Sequence, residues 1–403
     1  MMHAALLAII LVAVLPGCSW FKDITSLGVE DESVKPRELE SFKKEIDLNQ
    51  RWSTNIGKGA ADRAIRLVPA LSGNRIFAAS ANGMIKALNT SNGRPIWEVN
   101  VVNFYLGAER ANAFAKDVDV ITGGVGIGEE MLAVGTAAGE IIVLNQSDGT
   151  LAWRARTSSE VLSPPQIDGD LAVAQSIDGK ITAYNALDGE REWVYSTTLP
   201  SLSLRGSATP ILTSQFVVGA FANGRFALLD RESGLAGFDR AIGVAKGKSD
   251  LERLIDIDGN MIIAGQRLFL VGFQSNVISV NLNTAQLEWG QEGSSVVGLG
   301  EGFGNVYVGG ADGVITGYDA LSGKLIWEIE SLTNRVITTP VTASSYIVVG
   351  DFEGYLHVIA QSDGRFVGRR KVDGNGLYSR AVVDGNRIYV MGTSGSLSAY
   401  DIQ

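Results

Sequence analysis

Residue types that carry chemistry are scarce in this sequence. Its 403 residues include two histidines, His3 and His357, and a single cysteine, Cys18. A Ser-His-Asp triad, a zinc site built from His and Cys, and a reactive cysteine pair each need partners that so few residues do not supply. We therefore predict a non-enzymatic protein with no metal and no cofactor, in which His357 has a structural role.

The cysteine lies at the end of a targeting segment. Residues 4–14 are continuously apolar, but a bilayer span needs about 20 residues, so this run is typical of a signal peptide. Leu-Pro-Gly-Cys follows and resembles the lipobox of bacterial lipoproteins, whose cysteine takes diacylglycerol and becomes the first mature residue. We predict a signal peptide at 1–17, lipidation of Cys18 and a lipidated flexible tether at 18–48. The alternative is an ordinary secretory signal with an unrelated cysteine.

The residue after the lipobox and the charge balance indicate where the protein works. Ser19 rather than aspartate follows Cys18, which under the lipoprotein sorting rule implies the outer membrane. One lipidated N-terminus would hold the chain on the periplasmic side of that membrane without spanning it. The net charge of −10 at pH 7 lies wholly beyond residue 17 and comes without a Lys/Arg cluster. Nucleic acid is therefore not expected as a partner.

An eightfold repeat organises the rest of the chain. In its clearest copy Gly83 is followed by Asn89 after six residues, by Gly93 after ten and by Trp97 after fourteen. The copies begin at Gly83, Gly139, Gly179, Gly224, Ser275, Gly313, Gly354 and Gly395. A period near forty residues, with turn glycines and short apolar runs, is typical of a β-propeller that has one blade per copy.

Each copy predicts four antiparallel strands. Short apolar runs bounded by turns, such as residues 75–79, are too short for helices. Proline lies fourteen residues before the start of four copies, for example at Pro69, and proline is tolerated on edge strands, here the innermost one. The eighth copy ends before its tryptophan strand, whereas residues 51–55 resemble such a strand without a blade. We predict an all-β fold: an eight-bladed β-propeller of four-stranded antiparallel blades over 49–403, closed by the N-terminal strand around Trp52.

Functional surface is expected where the sequence departs from its repeat. The connections at 101–122 and 239–259 are enlarged, and a third segment, 199–206, also joins two blades. The last two both run from an outer strand to an inner strand, so they must emerge on the same face. The residues predicted to meet there are Leu202, Leu204, Arg205, Asp256 and Asp258. Two interpretations stay open: apolar anchors beside charges that bind a protein partner, or leucines that seal a gap between blades and aspartates that cap turns.

Three segments resemble one family. They are Ser-Leu-Ser-Leu-Arg-Gly at 201–206, Glu-Arg-Leu-Ile-Asp-Ile-Asp at 252–258 and Gly-Asp-Phe-Glu-Gly-Tyr-Leu-His at 350–357. With the lipobox and the eight copies, they are similar to the BamB family, lipoproteins of the outer-membrane β-barrel assembly machinery. The resemblance implies that the five residues named above serve docking onto the periplasmic POTRA domains of a BamA-type barrel protein, alongside other subunits of that complex.

A second resemblance gives the alternative function. The Gly-x-x-x-Trp repeats are similar to the tryptophan-docking repeats of quinoprotein dehydrogenases, which are also eight-bladed. Those enzymes typically carry an adjacent Cys-Cys pair over the cofactor, and this sequence has one cysteine. Because a fold does not imply a function, a PQQ-type enzyme or a ligand-binding propeller that uses its central channel stands as the alternative.

Overall fold

The computed structural model describes residues 35–60, 65–105, 120–243 and 248–403, and these residues form an all-β structure. Eight four-stranded antiparallel sheets follow one another along the chain, and the inner strands of successive sheets lie side by side. The predicted eight-bladed propeller is confirmed. Cys18 and the signal peptide at 1–17 lie outside the described residues, as do residues 106–119 of the first enlarged connection.

The strands run from the innermost to the outermost in each blade. Blades 1 to 4 contain β2 (Ala70–Ser72), β3 (Arg75–Ala79), β4 (Met84–Asn89) and β5 (Pro95–Asn100); β6 (Ile121–Gly128), β7 (Met131–Thr136), β8 (Glu140–Asn145) and β9 (Leu151–Arg156); β10 (Gln166–Asp168), β11 (Leu171–Ser176), β12 (Lys180–Asn185) and β13 (Arg191–Ser196); β14 (Ile211–Leu212), β15 (Phe216–Ala220), β16 (Arg225–Asp230) and β17 (Ala236–Ala241). Blades 5 to 7 contain β18 (Ile262–Ala264), β19 (Arg267–Val271), β20 (Ser275–Asn281) and β21 (Gln286–Gly293); β22 (Leu299–Gly302), β23 (Asn305–Gly309), β24 (Ile315–Asp319) and β25 (Leu325–Ile329); β26 (Val341–Ala343), β27 (Tyr346–Gly350), β28 (Tyr355–Ala360) and β29 (Phe366–Lys371). Blade 8 contains β30 (Val382–Asp384), β31 (Arg387–Met391), β32 (Ser396–Ile402) and, as its outer strand, β1 (Leu48–Asn55). Outside the sheets, a 3-10 helix (Val101–Phe104) follows β5 of blade 1.

The ring closes through β1, as predicted. Trp52 of β1 lies opposite Ala399 of β32, and the register shifts by one residue beside this pair. Trp97 lies opposite Ala87 in blade 1 with the same neighbouring shift. Trp52 therefore occupies the ladder position that the repeat reserves for tryptophan, although it comes from the other end of the chain.

Each tryptophan of the described blades joins its own blade to the next one. The Trp52 indole donates from Nε1 to the Thr90 carbonyl in blade 1 at 2.9 Å. Its ring also lies against Gly93, where a Cβ would meet the ring at 2.5 Å. Gly93 has φ +67°, a conformation that glycine adopts without penalty. The same tryptophan-to-carbonyl bond recurs from Trp97, Trp153, Trp193, Trp289 and Trp327.

The predicted tether needs a correction over its last residues. The Arg37 amide donates to the Thr333 carbonyl at 2.9 Å, and Phe42 packs against Phe366 with 5.9 Å between ring centroids. Ile46 is buried and fills the space above Gly368, the position where blade 7 has glycine in place of tryptophan. The compact unit therefore begins at Arg37 rather than at 49, because apolar side chains of this segment complete the packing of blade 7. A flexible tether stays a prediction for residues 18–34.

Replacing Trp52 tests closure of the ring. Trp52→Ala removes a buried ring and an inter-blade hydrogen bond, so we expect the free energy of unfolding to fall by about 3–5 kcal/mol in a urea titration. Leu187→Ala, at an exposed turn, is the control and should change it by no more than about 0.5 kcal/mol. A loss at Trp52 as small as at Leu187 would contradict closure through this residue.

Candidate partner-binding surface

The structure brings the two predicted segments together. Residues 199–206 lie between β13 and β14, and residues 248–259 lie between β17 and β18, so both belong to connections that join an outer strand to the next inner strand on one face. The backbone amide of Leu204 donates to Asp256 Oδ2 at 2.8 Å. Gly206 lies against the Asp258 carboxylate, which a Cβ at that position would meet at 2.2 Å. Asp256 thus holds the 201–206 segment by a hydrogen bond, and Asp258 lies against it.

Exposure divides the five predicted residues into two groups. Leu202 is 42% exposed, the Arg205 side chain is 50% exposed, and Leu204 is half-buried. Asp256 is fully buried and Asp258 is 8% exposed. Only the first three residues can therefore touch a partner directly, and the two aspartates can act only through the segment that they hold.

Arg205 is oriented by a third connection. Its Nη2 lies 2.8 Å from Glu160 Oε1, in the segment between β9 and β10. An exposed ion pair of this kind contributes little to stability, with about 0–1 kcal/mol as the usual range. Its effect here is geometric, because it fixes the guanidinium beside the segment between β9 and β10. Glu160 was not predicted from the sequence, since its repeat position carries no recognisable motif.

The two buried carboxyl groups repel each other. Burial, followed by the negative charge of Asp258, raises the pKa of Asp256. Burial also raises the pKa of Asp258, although the charge of Arg66 opposes that rise. Asp256 Oδ1 is buried and has no hydrogen-bond partner among the described residues, which adds to the cost of charging this carboxyl. The pair is therefore costly to ionise fully in the folded protein.

His357 lies in a separate buried network. Its Nε2 is 2.9 Å from Asp351 Oδ2, and its Nδ1 accepts from Arg369 Nε at 3.0 Å. Burial lowers the pKa of His357, and Asp351 also pairs with Arg335. Both ring nitrogens are thus engaged in tying β28 to β29 and to the turn at 351–355, which is a structural arrangement. The described residues hold no group of three or more His, Cys, Asp or Glu side chains suited to a metal ion.

Comparison with known proteins shows the family. The family model described as outer membrane protein assembly factor BamB matches residues 107–309 and 311–403. The chain belongs to the BamB family. It is 37% identical to outer membrane protein assembly factor BamB of Pseudomonas aeruginosa over 402 residues, covering 100% of this chain and 99% of that protein. It is 30% identical to the protein of the same name from Escherichia coli strain K12, covering 96% of this chain and 95% of that one.

Solved structures give the same result for the fold. The crystal structure of BamB from Moraxella catarrhalis matches with a TM-score of 0.76 at 27% identity, covering 88% of this chain and 100% of that chain. Quinohemoprotein alcohol dehydrogenase from Comamonas testosteroni matches with a TM-score of 0.69 at 13% identity, covering 88% of this chain and 76% of that chain. At that identity the dehydrogenase shows a common fold only. Across the described ranges, no helix is long and apolar enough to cross a membrane.

The raised pKa values predict how stability depends on pH. The folded protein retains protons on the Asp256–Asp258 pair above pH 3.9, where aspartates of an unfolded chain titrate. This contribution to stability is complete below that pH and is lost as the pH rises towards the folded pKa values. Between about pH 5 and pH 8, we expect the native protein to lose on the order of 1–2 kcal/mol more unfolding free energy than Asp256→Asn does.

Urea titrations at the two pH values measure this difference. Asparagine keeps an acceptor for the Leu204 amide and cannot ionise, so the variant isolates the titration from the hydrogen bond. Asp188→Asn, in an exposed turn, serves as the control and should show the pH dependence of the native protein. Equal pH dependence in the native protein and Asp256→Asn would contradict a raised pKa at this pair.

Proposed function

We propose that this protein is a non-enzymatic scaffold lipoprotein of the outer-membrane protein assembly complex. In this proposal it binds the periplasmic POTRA domains of a BamA-type subunit and so supports folding and insertion of β-barrel proteins. Its relatives are named outer membrane protein assembly factors, which supports a role in that process. The observation that carries the proposed docking site is the hydrogen bond from the Leu204 amide to the buried Asp256 carboxylate.

The proposed docking segment, residues 201–206, exposes side chains that can contact a partner and is held in a fixed conformation before binding. Leu202 and Arg205 offer an exposed apolar side chain and an exposed guanidinium within one short segment, and protein-binding hot spots combine such groups. The Asp256 carboxylate fixes the backbone between them, and Glu160 fixes the guanidinium. A segment that is already ordered loses less conformational entropy on binding than a mobile loop would. The rigid propeller thereby presents this face in one orientation to flexible partner domains.

A lipid anchor at Cys18 is the second part of the proposed function. A lipid on this residue would place the propeller on the periplasmic side of the outer membrane, where POTRA domains and the other subunits of the complex lie. The alternative, a PQQ-type enzyme or ligand-binding propeller, shares the fold of the matched dehydrogenases at 13% identity. A quinone absorbance band in the purified protein would favour that alternative.

Arg205→Glu tests the docking surface. The substitution reverses a charge at the predicted contact, so we expect at least about tenfold weaker binding, or about 1.4 kcal/mol, to a POTRA-bearing barrel protein in pull-downs from detergent-solubilised membranes. The melting temperature should stay within about 2 °C, because the side chain is half-exposed.

Arg94→Glu provides a matched control. Arg94 is exposed in the turn between β4 and β5, which lies on the opposite face from the outer-to-inner connections. It should retain full binding, and the double variant Leu204→Ala/Arg205→Ala should lose it. Retained binding by both Arg205→Glu and the double variant would rule out this surface.

Cys18→Ser tests the anchor. Removing the thiol removes the acceptor of the lipid, so the variant should shift from the membrane pellet to the soluble fraction after cell lysis and carbonate washing. Palmitate labelling of the native protein, absent from the variant, would identify the modification. A variant that stays in the membrane fraction and keeps its label would refute lipidation at this residue.

A further inference from the structure

The N-terminal strap, residues 37–47, lies against β29, the outer strand of blade 7, and its backbone is fixed at both ends. At its start, the Arg37 amide donates to the Thr333 carbonyl at 2.9 Å. Near its end, the Glu45 amide donates to the Val367 carbonyl at 2.9 Å. The residues between these two points are held in a different way, by a side chain of β29.

That side chain is an arginine. Arg369 Nη1 donates to the Glu40 carbonyl at 2.9 Å. The same guanidinium lies 4.9 Å from the centre of the Phe42 ring and 5.4 Å from the centre of the Phe366 ring, so it contacts one aromatic ring of the strap and one of β29. The position of residues 38–42 therefore depends on the position of Arg369.

Arg369 also contacts a buried histidine. Its Nε donates to His357 Nδ1 at 3.0 Å, and His357 Nε2 lies 2.9 Å from Asp351 Oδ2. A guanidinium can only donate and a carboxylate can only accept, so the imidazole carries its proton on Nε2 and offers the lone pair of Nδ1. Because His357 is fully buried, Arg369 links an interior ring to the strap on the surface.

The surroundings of the imidazole oppose a second proton. Burial lowers the pKa of His357; Asp351 opposes this shift. The positive charges of Arg369 and Arg335 add to it, so an imidazolium would stand beside two guanidinium groups in a buried space. The charged and titratable groups around the ring are Asp351, Glu353, Tyr355, Arg335, Arg369 and Lys371, with Glu40 of the strap beyond Arg369.

We propose that residues 38–42 form a pH-sensitive latch, in which protonation of His357 at Nδ1 expels Arg369 and releases these residues from blade 7. An imidazolium carries a proton on both nitrogens, so Nδ1–H would point at the Arg369 Nε–H, and two donors cannot bond to each other. Arg369 is half-buried and moves outward. In doing so it leaves the Glu40 carbonyl and the Phe42 ring.

Release is confined to the middle of the strap. The backbone bonds at Arg37 and Glu45 involve neither the imidazole nor the guanidinium. β1 keeps its ladder with β32, so the ring of blades stays closed. Phe42 packs against Phe366 with 5.9 Å between ring centroids when the latch is closed. Opening therefore uncovers an aromatic side chain on blade 7, away from the docking segment.

The direction of the pKa shift sets the pH range. In the closed latch the pKa of His357 lies below 6.5, and departure of Arg369 brings it back towards that ordinary value. The open form therefore binds a proton more tightly than the closed form does. The closed form is fully favoured above about pH 6.5 and loses stability as the pH falls from there to the lower pKa of the closed form.

Thiol labelling with 4,4′-dithiodipyridine, which reacts at acid pH as well as at neutral pH, measures the release. The full-length chain in a non-ionic detergent carries Cys18→Ser, so an introduced cysteine is its only thiol and lipidation has no part in the result. Leu39→Cys places the thiol at a half-buried position of the latch, and the exposed Ser41→Cys reports intrinsic reactivity. We expect the labelling rate of Leu39→Cys relative to Ser41→Cys to rise about tenfold from pH 7.5 to pH 5.

Three further variants are controls. Ile46→Cys, a buried position at the fixed end of the strap, should label slowly at both pH values. His357→Gln offers an amide that donates to Asp351 and accepts from Arg369 without titrating, so the relative rate at Leu39→Cys should change by less than about twofold. Arg369→Ala should give fast labelling of Leu39→Cys at pH 7.5 as well, which keeps the test decisive if His357→Gln does not fold.

An unchanged relative rate at Leu39→Cys between pH 7.5 and pH 5 would overturn the proposal. The same rise in a folded His357→Gln variant, or slow labelling at pH 7.5 in Arg369→Ala, would also overturn it. Equal acceleration at Ile46→Cys and Leu39→Cys would count against it too, because the whole propeller rather than the latch would then be opening.

Discussion

The contact between a tryptophan and the turn glycine of the next blade supports the whole molecule. The eight four-stranded sheets share no hydrogen-bonded ladder with one another. Isolated backbone bridges such as Leu67 to Gly124 join neighbouring blades near the inner strands, and side chains join them farther out. The Trp52 ring rests on Gly93 and its indole N–H reaches the Thr90 carbonyl. The glycine is required twice, for its positive φ and for the space that the ring occupies. This explains why Gly and Trp recur together at a fixed spacing.

Where a blade lacks the turn glycine or the tryptophan, the side chain that faces that position also differs from the repeat. Ala285 takes the turn position in blade 5 at φ +53°, and the preceding blade carries Phe238, which is smaller than tryptophan. Gly368 takes the tryptophan position in blade 7, and Ile46 from the N-terminal segment fills the space. Replacement of one member of the pair is thus accompanied by a change in the side chain that faces it, which keeps the interior closely packed.

The rigid ring of blades fixes the positions of the connections between blades. Because the ends of the strands are held in place, the segments at 199–206 and 248–259 meet on one face, and Asp256 reaches the Leu204 amide. Burying two carboxyl groups there lowers stability near neutral pH, and the same carboxyl groups order the exposed segment above them. Local destabilisation in return for a preordered surface is common where a protein binds or reacts.

The sequence by itself determined the fold, the number of blades and the closure through Trp52. Residues at the same place in the repeat occupy the same position in the hydrogen-bonded sheet of each blade, so their spacing along the chain is enough to recognise the blades. The sequence also determined that 201–206 and 252–258 meet, since the strand order sends both connections to one face. Only the tertiary structure decided that Asp256 and Asp258 are buried while Leu202 and Arg205 are exposed, because burial depends on chain segments distant in sequence. The same reason explains why residues 37–48 pack on blade 7.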